Sequence, residues 1–133
     1  MSEQPDRLRQ HPTERFYPAQ HQIDLEEVAS QLLTEPQASE RTQRQKTLYR
    51  HGRATIALFL FERGAHMPQH VAEGVVTVHV LEGRLKMIAE GQTHELTAGK
   101  LLLLAPGVQH DVFAEEPTRM LLTVCLDESK DRT

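Results

Sequence analysis

The sequence predicts an all-β fold, a closed barrel or sandwich of about eight short strands preceded by one short helix. Three observations carry this expectation. From Lys46 onward the chain breaks into short apolar runs, several of them alternating with period two. Glycine-containing turns separate these runs at close spacing. The run Ala54-Thr-Ile-Ala-Leu-Phe-Leu-Phe61 is apolar on both parities, so both of its faces need cover.

Residues 1–22 are polar, with Pro5, Pro12 and Pro18 and no periodicity, and read as a flexible, loosely held arm whose only bulky anchors are Phe16 and Tyr17. Residues 23–45 read as a helix and a linker. Asp24 is placed to cap the helix start, and Glu26 and Glu27 suit the positive end of its dipole. Leu25, Val28 and Leu32 share one face. Thr34 to Gln45 is polar and carries Pro36, which makes it the linker.

The barrel is expected over residues 46–133. Thr47 to Tyr49 is a short strand, and His51-Gly52 turns the chain into the run 54–61. Within Val75 to Leu81, Val76, Val78 and Val80 share one face and Thr77 and His79 the other. Glu82-Gly83 turns again. Leu85, Met87 and Ala89 then alternate with Arg84 and Lys86, and Glu90-Gly91-Gln92 leads into a return strand from Thr93 to Leu96. Leu101 to Leu104, Val112-Phe113 and Met120 to Leu126 complete the set. Cys125 lies inside the last apolar run, which predicts a buried structural thiol.

Composition narrows the function classes. The 133 residues suit one domain. Net charge is −4 with histidine neutral, and the basic residues between Arg41 and Arg53 are interspersed with polar and apolar ones, so no nucleic-acid partner is expected. A single cysteine excludes an internal disulfide and a cysteine-based zinc cluster. No apolar segment approaches the roughly 20 residues of a membrane helix, and the N-terminal residues lack a signal-peptide core, so no membrane association is expected and a cytoplasmic location is.

Two stretches carry a more specific pattern. Gly64 is followed by five residues and His70, with Gly83 closing the stretch in Val80-Leu-Glu-Gly83. Gly99 opens the second, in which Pro106-Gly107 and His110 follow. Between them lie fifteen residues, Arg84 to Ala98. In register, the two resemble the paired motifs of the cupin superfamily, in particular its small single-domain, RmlC-like microbial barrels, over about residues 46–126. The resemblance implies a double-stranded β-helix, the jelly-roll barrel. It also implies a metal centre of three histidines and one glutamate, from which this chain departs: Ala72 stands in the slot of the second histidine, Val76 in that of the glutamate and Ala114 in that of a later asparagine. Ala105 takes a proline slot beside Pro106.

The candidate ligand pocket is therefore His70, Val76, Val78, Met87 and His110. If a metal binds, His70 and His110 are its ligands, with His66 or Glu73 as the third. His66 and His70 would lie roughly 13 Å apart on a straight strand, so His66 needs a bend at Gly64 or Pro68. His79 has the wrong parity for the lumen, and His11, His21, His51 and His94 read as surface residues. No carboxylate pair, phosphate loop or Ser-His-Asp arrangement is visible.

The function this implies is small-molecule binding or sensing, without a certain cofactor. The alternative is a metal-dependent enzyme of dioxygenase, isomerase or decarboxylase type, using zinc, nickel, iron or manganese on His70 and His110. A homodimer is expected, because the two-faced run 54–61 has more apolar surface than one lumen can hide and because the resemblance to small cupins implies pairing.

Overall fold

The computed structural model describes residues 19–36 and 42–127. Most of the expected arm, with Phe16 and Tyr17, lies outside the described residues. The elements run in the order α1 (Leu25–Thr34), β1 (Gln43–His51), β2 (Ala54–Phe61), β3 (His66–His70), β4 (Gly74–Glu82), β5 (Arg84–Ala89), β6 (Gln92–Thr97), β7 (Leu101–Leu104), β8 (His110–Ala114) and β9 (Thr118–Leu126). They form two antiparallel sheets. One has the order β1-β2-β9-β4-β7 and the other β3-β8-β5-β6.

The alternating pattern decides which side chains meet. Phe59 and Phe61 of β2, Val76, Val78 and Val80 of β4, Leu85 and Met87 of β5 and Met120 of β9 point between the sheets and form the main core. This is the jelly-roll arrangement, with the expected inward face of β4 buried and His79 on the other face, beside Leu101 and Leu121.

The opposite face of β2 is buried differently from the sequence expectation. Leu58 and Leu60 pack with Leu48 under Ala29 and Leu32 of α1. The helix covers the other side of this two-faced strand. Its ends are fixed by polar contacts. The Asp24 carboxylate accepts from the Glu27 N–H at 3.2 Å, and Arg44 Nη1 donates to the Leu32 and Glu35 carbonyls at 2.6 Å each. The Leu32 carbonyl also accepts from the Glu35 N–H at 3.2 Å, and Arg44 adds a second donor at this end, where carbonyls lack the usual helical partners. Arg119 Nη1 also meets Glu26 Oε2 at 2.8 Å.

Four further expectations are corrected. β1 starts at Gln43, so Gln43 to Gln45 belong to the barrel and not to the linker. His66–His70 forms a strand, which brings the described strands to nine. It is polar and contains Pro68, and it survives because it lies at a sheet edge, where a missing N–H costs least. Cys125 is exposed. Met120, Leu122 and Val124 take the inward parity of β9, which turns Cys125 outward beside Ala54 and Val75. His94 is half-buried on the row of its cross-strand partner Met87.

Candidate functional site

A one-residue slip brings two histidines together. Along β3 and β8, His66 is opposite Phe113 and Met67 opposite Val112, but His70 is opposite His110. Three steps on β3 match two on β8, so β3 carries an extra residue around Pro68-Gln69. Such a bulge reverses the facing of everything beyond it. His70 thereby joins the inward row of His110 and Val112. His66, four residues earlier, stays outside, stacked on Phe113 with ring centroids 4.2 Å apart and planes 7° apart. The bend that sequence reasoning required is present, but it separates His66 from His70.

His110 is buried and His70 lies at the rim. Their ring centroids are 5.8 Å apart with planes tilted by 32°. The Gly107 N–H donates to the Ala72 carbonyl at 2.9 Å, which ties the turn before β8 to the segment after β3. Gly107 holds a φ of +83°, a conformation that glycine adopts without the Cβ penalty. His110 Nδ1 lies 3.2 Å from the Val108 carbonyl oxygen. A carbonyl can only accept, so Nδ1 carries a hydrogen, and in the neutral ring Nε2 keeps its lone pair. Burial lowers the pKa of His70, and the neighbouring His110 lowers it further, against an opposing influence from Asp111.

The two rings border a cavity of about 420 Å3 inside the barrel. Val76, Val78 and Met87 line it, and Met67 and Met120 add two more thioethers. Gln43 and Gln45 also reach it, with Gln43 Nε2 donating to Gln45 Oε1 at 3.1 Å. Sequence reasoning missed both. The available signal was the alternation of Gln43, Gln45 and Thr47 with Arg44, Lys46 and Leu48, which continues the strand backward through the supposed linker. His110 also borders a second, wider groove of about 650 Å3 with Glu90 and Asp111. There Oδ1 of Asp111 is buried with no hydrogen-bond partner among the described residues. Glu73, the rival third ligand, is exposed and does not line the lumen.

The cupin domain model matches residues 57–125, just over half of the chain. The chain belongs to the cupin family. Among solved structures it is similar to a cupin superfamily protein from Desulfitobacterium hafniense, at 21% identity and a TM-score of 0.64, over 69% of this chain and 84% of that one. A conserved protein of unknown function from Streptococcus pyogenes shares 23% identity and a TM-score of 0.63, over 68% of this chain and 80% of that one. Salicylate 1,2-dioxygenase from Pseudoaminobacter salicylatoxidans, solved with gentisate adducts, shares 13% identity and a TM-score of 0.62, over 76% of this chain but 30% of that one. At these identities the likeness is one of fold. No curated protein matches the chain.

Cupins often bind metals, so the fit of this cupin's residues is a direct question. Val76 lies in the core and Ala72 packs against it, in the two slots where the family pattern has ligands. Neither side chain has a donor atom. Among the described residues no group of three His, Cys, Asp or Glu is placed to hold a metal ion. His70 and His110 alone fall short of the three protein ligands usual in a catalytic zinc site, so the residues present do not fit the family's metal centre.

Proposed function

We propose that this cupin binds a small molecule in its barrel lumen and acts as a binding or sensing module. The observation that carries the reading is the lumen itself: about 420 Å3 walled by valine, methionine and phenylalanine, with His70 and His110 converging at one end. A concave apolar site of about 300–1,000 Å3 with few, placed polar groups is the usual form of a small-molecule site. Methionine walls adapt to the shape of what they enclose. Native mass spectrometry of gently purified protein tests the reading, because a retained small molecule adds mass that disappears on denaturation.

A second reading, a metal-dependent enzyme of dioxygenase, isomerase or decarboxylase type, is favoured by one observation, the convergence of the His70 and His110 rings. The apolar residues in the other two ligand slots weigh against it. Elemental analysis of untagged, dialysed protein separates the two. Less than one metal per chain supports the binding reading, and stoichiometric metal lost in His70→Ala and His110→Ala supports the enzyme.

The expected homodimer remains a proposal, with its contact moved. The outer face of β2 is covered by α1, whereas Val75, Leu101 and Leu103 are 43%, 57% and 62% exposed on the other half of that sheet, with β7 at its edge. A second copy seated there would cover them.

A further inference from the structure

We infer that the ligand of the lumen is uncharged, an apolar body bearing one hydroxyl or amide group that Gln45 and His110 recognise together. The inference rests on the binding reading of the lumen and adds the chemical class of the occupant. Its first support is the charge of the walls. Among the described residues that line the cavity there is no Lys, Arg, Asp or Glu. A carboxylate or phosphate drawn into it would give up its hydration with no fixed cation in return, and an ammonium would do so with no fixed anion.

The histidines do not supply the missing charge. His110 is buried and its Nδ1–H is already donated to the Val108 carbonyl. Charging His70 costs its desolvation and repulsion from His110. Asp111, whose charge acts on His70, lines the neighbouring groove and not the lumen, and its carboxylate offers an anion no attraction.

The second support is the pattern of donors and acceptors. Gln45 Oε1 accepts from Gln43 Nε2, which leaves the hydrogens of the Gln45 NH2 as donors beside the cavity. In the neutral ring with Nδ1 protonated, His110 Nε2 keeps a lone pair and is an acceptor. One side of the cavity thus gives a hydrogen and the other takes one. A hydroxyl or a carboxamide answers both, whereas an ionised carboxylate only accepts and an ammonium only donates. The remaining walls ask for hydrocarbon or aromatic surface.

The test uses four probes with one body: 2-phenylethanol, phenylacetate, 2-phenylethylammonium and ethylbenzene. They are titrated into the full chain at pH 8 and followed by the 13C-methyl resonances of Met67, Met87 and Met120. The alcohol is expected to bind at least roughly tenfold more tightly than either ion and more tightly than the hydrocarbon. In Gln45→Leu, a change at the rim, the alcohol is expected to lose its advantage over ethylbenzene. Preference for phenylacetate or the ammonium overturns the inference and leaves the lumen as the site. Equal binding of alcohol and hydrocarbon overturns the role of Gln45 and His110. Failure of all four to move the methyl resonances counts against the lumen reading and takes the inference with it.

Discussion

His70 and His110 are cross-strand partners only because β3 carries one residue more than β8 between Met67 and His70. Without that slip His70 would share the outer face with His66, and the lumen would have one imidazole. The pairing also shapes the chemistry of His70, since burial and the adjacent ring both favour its neutral form.

His70 is therefore predicted to titrate below the ordinary histidine value of about 6.5. The sign for stability follows. The unfolded chain takes up this proton at a higher pH than the folded chain does. The contribution of His70 is thus complete above the unfolded pKa and is lost as pH falls through the folded one. NMR titration of the imidazole checks the midpoint. Asp111→Asn should lower it further, because the one opposing influence is removed. A His70 midpoint above the ordinary value would contradict the geometry of the pair.

Two turn glycines should respond unequally to substitution. At Gly83, with φ +97°, a Cβ would strike the Pro117 carbonyl oxygen and Thr118. At Gly107, with φ +83°, the space around a Cβ is open. Gly107→Ala is expected to cost about 1–2 kcal/mol from backbone conformation alone. Gly83→Ala should exceed it, at about 3 kcal/mol or more, because backbone must also move. Urea denaturation that ranks them the other way would refute the turn assignment.

The helix is predicted to be part of the stable unit. Leu32 is buried against Leu58 and Leu60, so Leu32→Ala should cost about 2–4 kcal/mol. Asp24→Ala should cost about 1 kcal/mol through the lost cap. If both variants unfold with the parent in urea, α1 does not cover β2 in solution.

The dimer proposal is checked by sedimentation. The parent chain is expected at twice its chain mass in the tens of micromolar, and Leu101→Glu with Leu103→Glu at the mass of one chain. A parent that sediments as a monomer refutes it.

How far the sequence revealed this molecule depended on how locally each feature is encoded. The inward faces of β4 and β5 were legible because Val76, Val78 and Met87 alternate without interruption. The helix was legible because Asp24, Glu26 and Glu27 mark its start. The apolar run of β2 showed that two faces are buried but not what buries the second, since the docking of α1 across sequence-distant strands leaves no local pattern. His70 and His110 were placed by family motif and not by parity, because a bulge is a property of two strands and not of one. Gln43 and Gln45 were hidden by composition: glutamine is common in linkers, and only their alternation with Arg44 and Lys46 marked a strand. Cys125 was misread because an apolar run does not show which parity faces out.

The central claim, that the lumen holds a small molecule, is tested most directly by 13C-methyl NMR of methionine-labelled protein. Met67, Met87 and Met120 all line the cavity and report on it from three strands. Titration with a library of small fragments, charged and uncharged, is predicted to yield compounds that move all three resonances together and saturably. A library in which no compound moves them, in protein whose fold is intact, would contradict the account.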